Sequence, residues 1–249
     1  TYLQIVTSEK PNKSEPKRIC FTVGSDWVIY SSDVSTPTAN LSTIKLLLND
    51  TVSMKNVKFM TIDIKDFYLN TLMEQYEYMH IPVKHIPEVI MSQYKLAPLL
   101  VMNGHVMVKI HKGMYGLPQA GILANKCLVA HLWEHSFVLA THTHGLFTHK
   151  THDSTFCLII NDFGVKYVRC DHAEYLLSVL TKLYKVMHDW SDTQFCGLTL
   201  TWDYEACTVD ISIPSYIDKA LTHFKILYST KWQDSPHAWI PPLYNQPVQ

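Results

Sequence analysis

An α+β fold is what this sequence predicts, and three observations predict it. β-forming runs come in hairpin pairs, at residues 155–168 and again at 194–213. A separate apolar strand, residues 57–64, stands upstream of both. Between and after these runs lie helical patterns with a single apolar stripe, the clearest over residues 172–188.

In chain order, residues 1–18 contain SEKPNKSEPKR, polar with Lys and Pro, and read as a flexible lead-in. Residues 19–30 alternate like a β-hairpin around Gly24-Ser25-Asp26. Thr36-Pro37-Thr38 then precedes a helix with Leu41, Ile44, Leu47 and Leu48 as its stripe. The strand of residues 57–64 delivers Asp63 near its end. Residues 84–112 finish in a β-run, HVMVKIHKG, and a helix follows from Ile122 to about His135 with Leu128 and Leu132 inward. The hairpin TFCLIINDFGVKYV turns at Asn161-Asp162, residues suited to tight turns. Its successor helix, 172–188, aligns Ala173, Leu176, Leu177, Leu180, Leu183 and Met187. The hairpin of residues 194–213 turns at Asp203-Tyr204-Glu205. Ser215 caps a last helix with Asp218 three residues on, and its stripe is Ile217, Ala220, Leu221 and Phe224. Residues 230–249, rich in Pro, Trp and Gln, read as a tail or linker.

Composition bounds the function. The 249 residues hold enough apolar content for one large domain or two small ones. Basic and acidic residues nearly cancel, 21 against 22, so the whole chain lacks the basic footprint common in nucleic-acid binders. Yet no Asp or Glu lies between Glu88 and Glu134, where Lys95, Lys109, Lys112 and Lys126 occur. These lysines either form a local positive surface or are ordinary solvated positions. The six cysteines lack CxxC spacing and read as reduced, mostly buried thiols of an intracellular protein. No apolar run approaches the roughly 18 residues of a membrane span. The chain starts with Thr1 rather than Met, which suggests a piece of something longer. Four histidines in THTHGLFTHKTH, at 142, 144, 149 and 152, have neither CxxC nor HExxH beside them and read as a surface loop rather than a zinc site.

Three segments carry chemistry: FMTIDIKDFYLN with Asp63, GMYGLPQAG at residues 113–121, and the Asn161-Asp162 hairpin. Taken singly each is ordinary. An Asp after a strand is usually a cap or turn residue, LPQAG is a loop before a helix, and Asn-Asp is turn chemistry. In this order they resemble motifs A, B and C of a reverse transcriptase, with wording closest to the copia-type LTR retrotransposons. The resemblance runs from about residue 18 to 226.

That resemblance implies a right-hand polymerase: fingers and an antiparallel palm over residues 19–213, and the start of a thumb over 214–229. It implies RNA-directed DNA synthesis on a primed RNA or DNA template, using deoxynucleoside triphosphates and two magnesium ions, or manganese. Asp63 and Asp162 would hold the metals, with Asn161 a weakened third ligand. Tyr68 would gate the sugar by excluding a 2′ hydroxyl, while Gln119 and Gly121 would line the nucleotide pocket. Asp66 would cap the next helix or contact the triphosphate. Lys182 and Lys185 would be proton donors to pyrophosphate or a solvated helix face. Partner domains of a pol polyprotein, integrase and RNase H among them, are implied but not visible. The setting implied is a cytoplasmic particle or the nucleus. One residue departs from the pattern: Asn161 stands where the family has an aspartate, removing a full negative charge from the metal site. An impaired polymerase, a dead remnant and an adopted module that only binds nucleic acid are the readings this leaves.

Overall fold

The computed structural model describes residues 1–9, 17–101 and 103–226. In chain order its strands and α-helices are β1 (Leu3–Glu9), β2 (Lys17–Val23), α1 (Leu41–Ser53), β3 (Lys58–Ile64), β4 (Leu72–Pro82), α2 (Glu88–Gln93), β5 (Leu100–Val101) and β6 (His105–Lys112). There follow α3 (Ala120–Glu134), β7 (Phe137–Leu139), β8 (Leu146–His149), β9 (Ser154–Ile159), β10 (Asp162–Tyr167), α4 (Cys170–Thr181) and β11 (Val186–Asp189). The last are β12 (Gln194–Phe195), β13 (Leu198–Asp203), β14 (Thr208–Ser212) and α5 (Pro214–His223). Helices pack on antiparallel sheets, so the class is α+β.

The central sheet has the order β11-β3-β10-β9-β8-β7. Side chains alternate along a strand, and β3 uses both faces. Met60, Ile62 and Ile64 meet Leu128 and Leu132 of α3 and Leu176 and Leu180 of α4. Phe59, on the opposite parity, meets Ile44, Leu47 and Leu48 of α1 and Leu200 of β13. Each such fully buried side chain contributes about 1.5–3 kcal/mol. Asp63 shares Phe59's parity, so the pleat turns it away from α3 and α4. Helix α1 is started by Asn40, whose side chain accepts the Thr43 amide at 2.9 Å. Its buried stripe begins at Ile44, since Leu41 is exposed.

Several local expectations are corrected. Residues 3–9 form β1, paired with β2 from Leu3↔Val23 to Glu9↔Lys17, where polar composition predicts a flexible lead-in. The strand carries Leu3, Ile5 and Val6, a short β-prone run that the polar reading of the lead-in passes over, although most of β1 is exposed. The hairpin expected within 19–30 is absent, because β2 pairs upstream and Ser25–Trp27 is a 3-10 turn. The helix expected over 172–188 stops at Thr181, and Val186–Asp189 becomes β11 on the edge of β3. Leu183 and Met187 keep the helical spacing by coincidence and are exposed. Residues 194–213 make a three-stranded sheet rather than one hairpin. Ile213, not Ser215, stands at the cap position of α5. All six cysteines are free, but only Cys157 is buried. Residues 230–249 lie outside the described residues. Among those described, no helix is long and apolar enough to cross a membrane.

The histidine-rich segment forms a stack rather than a loop of ligands. His149 lies on His152 at 4.1 Å between ring centroids, and His152 on His172 at 4.7 Å with planes 3° apart. Burial first, and then the charges of His152 and His172, hold His149 below its ordinary pKa of 6.5. The unfolded chain therefore binds a proton that the native stack resists, so native stability should fall as pH drops through 6.5. Thermal unfolding across that range should show a shallower loss for His149→Gln.

Candidate active site: two carboxylates across one strand pair

β3 and β10 run antiparallel with Asp63 directly opposite Asp162 and Ile62 opposite Phe163. Directly opposed residues share a face, so both carboxylates project from the face opposite α3 and α4. On the other side of β10, Ile159 pairs with Asp162, leaving Ile160 and Asn161 as a two-residue loop. The turn thus falls one residue earlier than the sequence suggests, and Asp162 is the first residue of β10. Ile160 takes φ 58, left-handed backbone that favours glycine in such loops. For a β-branched side chain this costs about 1–2 kcal/mol, strain of the kind stored at functional positions.

Asn161 is tied down twice. Its Nδ2 donates to Asp63 Oδ1 at 2.6 Å and to the Ile64 carbonyl at 3.2 Å, and its own carbonyl accepts the Ile64 amide at 3.0 Å. The two acceptors orient the amide with its nitrogen toward Asp63. Asp162 has no such donor. Burial, then the Asp63 charge and the hydrogen bond between the two carboxyls, push its pKa up to about 6. A cavity of about 150 Å³ opens beside the pair, lined also by Thr61, His188, Asp189 and Gln194. The Asp189 carboxylate is engaged by the Ser191 amide and hydroxyl, both at 2.8 Å. Neither Asp66 nor Asp153 replaces the missing carboxylate. Asp66 is exposed in left-handed conformation and makes no side-chain cap to the turn that follows. Asp153 lies at the far end of β9 from the loop. An oxygen-only pair crowded enough to raise one pKa is a donor set suited to a hard divalent cation.

A second cavity, of about 370 Å³, is lined by Tyr68, Gly116, Leu117, Ala120, Gly121 and Ile160 among others. Tyr68 stands edge-on to Tyr115 at 5.0 Å. Gly113 lets that chain pass close, since a Cβ there would meet the Tyr68 carbonyl at 2.6 Å. Tyr68 and Gly121 therefore share one cavity wall, and the strained Ile160 joins it to the Asp63–Asp162 turn. Gln119 does not reach that wall. It is 2% exposed, with Nε2 donating to Glu77 Oε1 at 3.3 Å and no partner for its own oxygen among the described residues. Its neighbour Glu77 comes from β4, a contact that no local motif encodes. Of the two lysines, Lys182 Nζ contacts His135 Nε2 at 2.9 Å, away from the carboxylate pair, whereas Lys185 immediately precedes β11 and its carbonyl accepts the Lys65 amide at 2.8 Å, two residues after Asp63. Sequence reasoning missed Ile160, because it placed the turn at Asn161-Asp162 and left Ile160 within the strand.

Comparison with known proteins adds the family. Among solved structures, the chain is similar to telomerase from Candida albicans in complex with a TWJ fragment of telomeric RNA, at 10% identity and a TM-score of 0.40, over 71% of this chain and 34% of that one. It is similar to apo telomerase from Candida tropicalis truncated from its C-terminal domain, at 13% identity and a TM-score of 0.37, over 70% of this chain and 40% of that one. The chain thus spans well under half of these telomerase chains. No curated protein shows a significant match. The family model described as reverse transcriptase (RNA-dependent DNA polymerase) matches residues 22–233, most of the sequence, and the chain belongs to that family.

Proposed function

We propose that this chain is the fingers, palm and first part of the thumb of a copia-type reverse transcriptase, with metal chemistry weakened by Asn161. The single observation that carries this reading is the direct opposition of Asp63 and Asp162 across β3 and β10. In the proposal residues 19–213 are fingers and palm, and 214–229 begin the thumb. Asp63 and Asp162 would hold divalent cations, magnesium or manganese, which when bound lower the charge barrier to attack by the primer 3′ hydroxyl on a deoxynucleoside triphosphate. The chain's own residues do the positioning. Tyr68 and Gly121 shape the cavity that would take the sugar and base, and Tyr68's bulk would exclude a 2′ hydroxyl. Template contact fits the exposed face of β4 and β6, where Lys109 Nζ lies 3.6 Å from the Tyr76 ring.

Asn161 favours the impaired form of this reading. Its amide satisfies Asp63 without any cation, so a metal must displace a 2.6 Å hydrogen bond and then lacks one carboxylate. The test is primer extension on an RNA template with magnesium or manganese. Asn161→Asp should extend at least about 10-fold faster than the chain as it stands, since losses even outside the ligand shell cost about 10–100-fold. Asp63→Asn on that background should abolish extension. Salt-dependent primer–template binding with no extension by either form would instead support a module that only binds nucleic acid. The absence of both extension and binding would sink the proposal.

A further inference from the structure

A second set of metal-ligating side chains converges far from the Asp63–Asp162 pair. His131, Glu134 and His135 offer donor atoms that all lie within 4.8 Å of one another. They occupy the last turn of α3 and its C-terminal cap, spaced His-Leu-Trp-Glu-His. Residues four apart on a helix share a face, and this H-x-x-E-H spacing holds zinc in one class of metallopeptidases. We propose that His131, Glu134 and His135 bind one divalent cation of the zinc class, with water completing the coordination.

The ring orientations carry the argument. His131 bonds through Nε2 to the Val179 carbonyl at 2.8 Å, and His135 through Nδ1 to the His131 carbonyl at 2.9 Å. A carbonyl only accepts, so each bonded nitrogen carries the ring proton. The lone pairs are then on His131 Nδ1 and His135 Nε2. A backbone carbonyl on the far nitrogen is the arrangement that fixes tautomer and aim in metal-ligating histidines. Two neutral imidazoles and one carboxylate suit zinc, whereas magnesium prefers oxygen alone. The rings stand 4.6 Å apart between centroids. Donors around tetrahedral zinc are about 3.4 Å apart, a value that follows from bonds of about 2.0–2.1 Å. Closure therefore asks for a shift on the order of 1 Å among the three side chains, of which Glu134 is exposed and free to change rotamer.

The ordinary account of His131 is a buried histidine satisfied by its bond to α4. The same ordinary chemistry caps α3 with His135 Nδ1 and leaves His135 Nε2 as an acceptor for Lys182, so what the metal reading adds is the convergence of all three side chains. That ammonium sits 2.9 Å from His135 Nε2, placing a positive charge on the lone pair that the metal would use. Lys182 is exposed at the end of α4, so a cation can displace it into water. His131 joins α3 to Val179 of α4, so the site would sit where the C-terminal ends of these two helices meet. They pack on the Met60, Ile62 and Ile64 face of the sheet, opposite the face that carries Asp63. The cluster includes no further carboxylate to act as a base, so no hydrolytic role is assigned.

The test is titration of the whole chain with zinc by calorimetry, and with cobalt(II) by visible absorption. One equivalent should bind, raise Tm, and give the intense bands of a tetrahedral cobalt site. His135→Gln and Glu134→Gln should each weaken binding about 10-fold or more, while Lys182→Met should tighten it. Asp63→Asn with Asp162→Asn should leave it unchanged, which separates this site from the carboxylate pair. Binding that survives His135→Gln, or is lost with Asp63→Asn and Asp162→Asn, would overturn the proposal. So would the absence of any saturable equivalent.

Discussion

Asn161→Asp is expected to unfold at lower temperature than the parent chain in EDTA and to gain more from magnesium. In the parent, Nδ2 of Asn161 is the donor between two acceptors, Asp63 Oδ1 and the Ile64 carbonyl. An aspartate would put a third oxygen where the donor was, beside the already crowded Asp162. Leaving a half-buried acceptor without a donor costs about 1–3 kcal/mol, and like charge adds to that. Three carboxylates on one strand pair are, however, a better cage for a hard cation than two. Metal that binds only the native state returns about 2.7 kcal/mol at 100 times its dissociation constant. Thermal unfolding of both chains, with EDTA and with rising magnesium, measures this directly. Crossing curves are the expected result, the variant below the parent without metal and level with it or above when saturated. Parallel curves would mean that position 161 does not face the cation, and the proposed impairment would lose its cause.

The part of the site written in strand periodicity was legible in the sequence. Asp63 follows an apolar run that must be buried, and parity alone sends it to the opposite face from Ile62 and Ile64. Asp162 was legible as its partner only through the order of the motifs. What the sequence concealed depends on contacts between distant segments. Gln119 looks like a pocket residue until Glu77 of β4 draws it inward. Residues 186–189 continue an apolar spacing that fits a helix, but the free edge of β3 offers hydrogen bonds that the spacing cannot reveal. β1 is exposed along most of its length, so its Leu3, Ile5 and Val6 leave no buried face to read, and the pairing with β2 is what fixes it. The His131–Glu134–His135 set was present as a spacing, yet its aim depends on Val179 in α4.

Gly164→Ala should be strongly damaging beside the Asp63–Asp162 pair, although the added group is one methyl. Gly164 lies on β10 two residues after Asp162, on the same face by strand parity. A Cβ there would come within 2.7 Å of the Phe195 ring and 2.8 Å of the Phe59 ring. Both rings are buried, 3% and 1% exposed, and they meet edge to face with centroids 5.8 Å apart, so neither can swing into open space. Overpacking of this kind costs about 1–3 kcal/mol. The functional loss should be larger, because Phe195 also lines the cavity beside Asp63 and Asp162. Any shift of that ring away from Gly164 changes the wall of the space that a cation and its waters would need. The two effects separate in a double-mutant cycle with Phe195→Leu, which removes the ring that the methyl strikes. Stability should then recover beyond the sum of the single changes, by an interaction of about 0.5–3 kcal/mol. Primer extension, measured on the Asn161→Asp background, should recover with it if the cavity needs only volume. Recovery of stability without extension would instead mean that Phe195 itself shapes the wall against which the carboxylate pair works.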